Sequence, residues 1–181
     1  MRLCKETVHA TYILRHFMIK HLKVKCTGSS STERLLYHFH YTHWPDHGAP
    51  EHPLPVLNFI KESSAMNPPN AGPIVVHCSA GVGRTGAYIV IDSMLKQIQA
   101  EGALDIKSFL QHIRNQRSFL VQTEEQYIFI HEALVEAIQS GETDVPADSL
   151  SAYIKGLIYR GAEGESSQLD QQYMVSISYF R

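Results

Sequence analysis

In VHCSAGVGRTG, residues 76–86, one cysteine stands between an apolar run and a glycine-rich turn, with an arginine six positions on. Each of these residue types has a chemical use. A thiolate is a strong nucleophile, and a thiol beside a helix start and a guanidinium has its pKa lowered. Arg84 can offer a planar fork of donors to two oxygens of an anion. Ser79, Ala80, Gly81 and Gly83 are small enough to let the backbone, with Val82 between them, curl its amides inward. Thr85 can donate its hydroxyl to the Cys78 sulfur. The chemistry predicted is capture of a tetrahedral oxyanion by residues 79–84 and attack on it by Cys78. A buried structural thiol is the alternative for a lone cysteine. A Walker-type nucleotide loop is excluded, because no G-x-x-x-x-G-K-[ST] occurs.

Such a loop needs a strand to deliver it and a helix to follow it. Ile74 to His77 is a short apolar run bounded by turn residues, which predicts a buried strand. From Thr85 onward apolar residues fall at Ala87, Val90, Ile91, Met94, Leu95 and Ile98, the spacing of a helix with one buried stripe. Upstream, residues 8–25 partly alternate apolar and polar types and predict a strand or hairpin. CTGSSSTE, residues 26–33, reads as a loop, and RLLYHFHYTHWP resumes an extended pattern. Trp44-Pro45-Asp46-His47-Gly48 is turn chemistry. A helix is predicted from about Pro53 to Ser63 with Leu57 and Ile60 inward, followed by a loop over SAMNPPNAGP. Further helices are predicted over about 106–116 and from Thr123 to about Ile138, where T-E-E-Q has capping-box spacing. Helices interleaved with strands define an α/β domain. After Ser140 the composition turns polar. GETDVPADSL reads as a linker, SAYIKGLIY as a helix start and YMVSISYFR as strand-like.

At 181 residues the chain can hold one domain with a substantial core. Sixteen Lys and Arg against 18 Asp and Glu give a net charge of -2, which argues against a bulk nucleic-acid binder. Cys4, Cys26 and Cys78 form no C-x-x-C pair and suit a reducing compartment. No apolar run approaches the roughly 20 residues that span a bilayer. A soluble cytoplasmic chain is expected. His38, His40, His43 and His47 raise the question of zinc, but no cysteine or carboxylate completes a four-ligand set, so no metal is expected.

The cysteine loop, its glycines, Arg84 and Thr85, together with Trp44-Pro45-Asp46 and LVQTEEQY, resemble the protein tyrosine phosphatase family. YHFHYTHWPDHG and YIVIDSML resemble its receptor-type branch, in particular the gamma/zeta subgroup. The resemblance covers roughly residues 8–141. It implies that Cys78 is the nucleophile and that residues 79–84 bind the phosphate. His77 would tune the thiolate, Asp46 would be the general acid and then base on the loop framed by Trp44 and Pro45, and Gln122 would position water. Gln126 would be a second glutamine near the substrate, although Thr123 and Gln126 are explained first as capping residues. No cofactor is implied.

The fold implied is a phosphotyrosine phosphatase-like twisted mixed sheet flanked by helices. The family's domains carry further strands, helices and an aromatic-bearing loop ahead of the positions matching residues 8–45, so an N-terminally truncated domain is expected over 1–141. Residues 142–181 resemble the linker and first helix of a tandem second phosphatase domain. The implied partners are phosphotyrosine-containing proteins and another phosphatase domain, with no nucleic acid. The parent would be a single-pass receptor with this region inside the cell. Two functions follow: a tyrosine phosphatase working through phosphocysteine, or a catalytically incompetent fragment that binds phosphate or a partner.

Overall fold

The structure, a computed structural model, describes residues 1–25, 28–68, 70–140, 145–158 and 167, the side chains of 22–31 excepted. Contacts divide the chain into two compact units, Met1–Leu134 and Val135–Arg181.

The first unit opens with three strands, β1 (Arg2–Val8), β2 (Tyr12–Lys25) and β3 (Gly28–Tyr41), paired in that order and antiparallel throughout. The β2–β3 register runs unbroken from Tyr12 opposite Tyr41 to Lys25 opposite Gly28. The strand or hairpin expected over 8–25 is the strand β2, preceded by a turn at 9–11 where the His9 amide donates to Tyr12 O at 2.9 Å, and it has a preceding partner in β1. The loop expected over 26–33 is corrected for 28–33, and residues 26 and 27 lie outside the described residues. β3 already begins at Gly28, because the long β2 offers ladder partners that polar composition alone does not reveal.

Helices α1 (Leu54–Ala65), α2 (Gly83–Glu101), α3 (Ile106–Gln116) and α4 (Glu124–Ser140) follow. Their apolar stripes are the core: Leu57 and Ile60 of α1, Ala87, Val90, Ile91 and Met94 of α2, and Ile106, Leu110 and Ile113 of α3 are all buried. Phe129 and Ile130 of α4 are buried as well. Phe59 couples the helices to the sheet. Its ring lies 5.6, 6.2 and 5.3 Å from Tyr12, Phe39 and Tyr41 and 6.0 Å from Tyr88, all edge-on. Asp105 caps α3 by accepting from the Ser108 amide at 2.9 Å.

The buried strand expected at Ile74–His77 is not found. Among the described residues the segment has no strand partner, and Ile74 is 38% and Val75 85% exposed. An apolar run becomes a strand only when neighbouring strands take up its amides and carbonyls, and the described sheet contains only β1, β2 and β3. For the same reason the described sheet is antiparallel where a mixed one was expected.

In the second unit, α5 (Leu150–Ile158) forms where SAYIKGLIY predicts a helix, and its Leu157 is buried. The strand-like YMVSISYFR lies outside the described residues, as does Cys26. Among the described residues no helix is long and apolar enough to cross a membrane.

Candidate active site

Residues 78–86 carry the chain from the unpaired segment into α2. The helix starts after Val82 with no side chain capping it, so the amides of its first turn remain available to a ligand or to the sulfur. Gly81 sits at φ +68°, the left-handed region that a residue with a Cβ adopts only under strain, and this lets successive amides face one side.

Cys78 is half-buried. That burial by itself pushes the thiol up, but donation from the Thr85 hydroxyl and from the amides of Thr85, Val82 and Gly81 outweighs it, and the pKa falls to about 6. Thr85 is 5% exposed, so water does not compete for its hydroxyl. Since the thiolate is the reactive form, iodoacetamide should alkylate Cys78 at a rate that rises through pH about 6 and then levels off. At pH 7 the exposed Cys4 should react more slowly, and equal labelling of the two would contradict the activated thiol.

Asp46 is exposed on the turn after β3. Two contacts fix that turn. Trp44 donates Nε1–H to Gly48 O at 3.3 Å, and its ring meets Phe129 of α4 edge-on at 5.6 Å. Arg84 Nη2 donates to Pro45 O at 3.0 Å. The arginine of the cysteine loop therefore holds the backbone immediately before Asp46. His77 is exposed, and its Nδ1 lies 3.4 Å from its neighbour's carbonyl, Cys78 O. It also contributes to the field on His38, whose imidazole is held below its usual range by burial first and then by Arg15, His40 and His77. Among the described residues no group of three His, Cys, Asp or Glu is arranged to hold a metal.

Gln122 is exposed just ahead of α4, and Gln126 is 7% exposed beneath it. Half of the capping box forms: Thr123 Oγ1 accepts from the Gln126 amide at 3.3 Å. The return bond reaches one residue further back, with Gln126 Oε1 accepting from the Gln122 amide at 2.9 Å. The Gln126 amide group also packs so closely on Gly83 that a Cβ there would lie 2.9 Å from it. Gln126 thus joins the segment bearing Gln122 to the start of α2. Val121 adds a backbone tie, its amide donating to Val82 O at 3.1 Å.

Two arginines gave no signal in the sequence. Arg114 of α3 donates to Leu120 O and Val121 O at 2.8 and 2.7 Å, holding the segment that leads to Gln122. Arg117, just past α3, donates from Nε to Gly81 O and from Nη2 to Ala80 O, both at 3.0 Å. Both lie in RNQRSFL: Arg114 holds backbone six and seven residues on, whereas Arg117 reaches a loop 36 and 37 positions earlier. Beside the site, a groove of about 460 Å³ between α3 and the start of α4 includes Arg114, Gln122 and Tyr127 but neither Cys78 nor Arg84.

A sulfur held as thiolate among inward amides, an arginine at the loop's far lip and a carboxylate turn tied to that arginine form a constellation suited to phosphoryl transfer. Residues 2–136 match the model of the Protein-tyrosine phosphatase family, and the chain belongs to that family. It is 63% identical over 150 residues to Tyrosine-protein phosphatase 99A of Drosophila melanogaster, an overlap of 83% of this chain and 12% of that protein. It is 51% identical over 171 residues to Receptor-type tyrosine-protein phosphatase zeta of Rattus norvegicus, covering 93% of this chain and 7% of that protein. With Receptor-type tyrosine-protein phosphatase F of Danio rerio it shares 51% identity over 148 residues, 82% of this chain and 7% of that one. The chain therefore spans a small fraction of the length of the curated relatives it matches.

Proposed function

We propose that the chain hydrolyses phosphotyrosine in proteins through a phosphocysteine on Cys78. Sγ attacks phosphorus, so an S–P bond forms as the P–O bond to the tyrosyl oxygen breaks, and the Asp46 carboxyl gives its proton to the leaving oxygen. Arg84 and the amides of residues 79–84 take the charge of the equatorial oxygens. In the second step Gln122 orients a water whose oxygen attacks phosphorus. Its proton passes to the Asp46 carboxylate, and the S–P bond breaks to return the thiolate and inorganic phosphate. His77, Trp44, Pro45, Thr85 and Gln126 support these groups. The observation that carries the reading is the juxtaposition of the Cys78 loop with the turn that bears Asp46, Arg84 Nη2 donating to Pro45 O at 3.0 Å, and the lowered thiol pKa of Cys78, about 6, supports it.

The similar receptor-type proteins extend the proposal to the whole protein. It would be a membrane receptor with this region on the cytoplasmic side, and residues 142–181 would lead into a second phosphatase domain. A second reading, a phosphate- or partner-binding module without turnover, is favoured by the unpaired, exposed Ile74–Val75 segment that delivers Cys78. Phosphate release from a tyrosyl phosphopeptide by the purified chain, with Cys78→Ser beside it, separates the two. Release that depends on Cys78 supports the enzyme. A folded chain that binds vanadate and releases no phosphate supports the module.

A further inference from the structure

We propose that Arg117 is a positioning residue of the anion loop: by gripping the Ala80 and Gly81 carbonyls from behind, it aims the Gly81 and Val82 amides at the Cys78 sulfur and at a bound phosphate. The inference rests on the thiolate reading given above and names what builds that site.

A trans peptide unit is a rigid plate whose C=O and N–H point in opposite directions. The plate that carries Ala80 O also carries the Gly81 N–H, and the plate that carries Gly81 O carries the Val82 N–H. Arg117 binds those two oxygens, each at 3.0 Å. The two amides on the far edges of the same plates are among the donors that stabilise the Cys78 thiolate. One guanidinium therefore fixes two of the three loop amides that serve the sulfur. The positive φ of Gly81 is what allows both carbonyls to face the same fork.

Charge adds to geometry. A cation bonded to a carbonyl polarises the peptide unit and strengthens its N–H as a donor. The fork also matters: Nε and Nη2 lie on one edge of a planar group and meet two acceptors side by side, which a lysine ammonium cannot do with the same rigidity. Arg117 is itself aimed by α3, for its own amide donates to Ile113 O at 3.0 Å as the helix ends. Charged or titratable groups on the segments around the loop include His77 and Arg84 beside Cys78, Asp46 on the turn that Arg84 holds, and Arg114, which binds Leu120 O and Val121 O. Arg84 and Asp46 belong to the proposed chemistry, whereas Arg117 acts only through the backbone.

The test reads the rate of Cys78 alkylation by iodoacetamide against pH, by mass spectrometry of the Cys78 peptide, and needs no turnover. The wild-type midpoint is expected at about 6. Arg117→Ala should raise it by about one pH unit, roughly a tenfold loss of thiolate on the acid side. Arg117→Lys should fall between the two, since it restores the charge without the fork. An unchanged midpoint in an Arg117→Ala chain with wild-type circular dichroism overturns the proposal. Should the alanine variant unfold, Arg117→Lys decides: a raised midpoint supports the proposal and an unchanged one overturns it. A wild-type midpoint near the ordinary thiol value of about 8.5 would overturn the thiolate reading itself.

Discussion

Replacing Cys78 with serine is expected to lower aryl phosphate hydrolysis by at least about 10⁴-fold while leaving the fold intact. The size follows from what the site supplies. Thr85 and the loop amides stabilise an anionic sulfur, and the pKa near 6 makes that anion the dominant form at neutral pH. A serine hydroxyl gains from the same amides but starts far from ionisation. Thiol and hydroxyl are close in size, so phosphate or vanadate should still bind Cys78→Ser. The wild-type pH profile should show the thiolate on its acid side: kcat/KM rises as pH passes upward through about 6, because protonated sulfur is inert. Asp46→Asn separates the roles. It should cost about 10²- to 10⁴-fold in kcat for a tyrosyl leaving group and leave the alkylation midpoint of Cys78 where it was. Hydrolysis by Cys78→Ser at the wild-type rate would remove sulfur from the mechanism.

The second large effect concerns stability. Gly86 lies in the first turns of α2, where alanine would ordinarily help by up to about 1 kcal/mol. Here an added Cβ would meet the Val121 amide nitrogen at 2.3 Å and the Leu120 carbonyl carbon at 2.9 Å. Both are backbone atoms and cannot rotate away. The Val121 amide is also the donor to Val82 O, so relief of the clash must open the tie between the cysteine loop and the Gln122 segment. Gly86→Ala is expected to destabilise the fold by about 2–3 kcal/mol, seen as a lower urea midpoint. Gly156 in α5 has nothing within 4 Å of its would-be Cβ, and Gly156→Ala should stabilise slightly instead. A Gly86→Ala chain as stable as wild type would mean that α2 and residues 120–121 are not packed as described.

What the sequence revealed and what it hid divide along the range of the interactions. The α3 boundaries and the inward residues Ile60, Val90, Ile91 and Met94 follow from helical periodicity, which is local. The need for glycine at position 81 was equally readable, because its positive φ belongs to a local turn, whereas Gly86 is confined by the backbone of Leu120 and Val121, a long-range contact that the sequence did not show. Pairing was not readable. Ile74–His77 has a strand's composition without a strand's partners, while the serine run after Gly28 has a loop's composition and a ladder to join. The long-range supports were hidden in the same way. Nothing in RNQRSFL marks Arg117 as the residue that holds carbonyls 36 and 37 positions earlier in the chain. Gln126 was readable as a capping residue, but its side chain turns to Gln122 and Gly83, a choice set by packing against α2.

All of this chemistry converges on one covalent bond. The purified chain, mixed with a radiolabelled aryl phosphate and quenched in acid during turnover, should carry one phosphoryl group on the peptide containing Cys78, and Cys78→Ser treated alike should carry none. Release of phosphate with no label on Cys78, or with label on Ser79 instead, would contradict the phosphocysteine route.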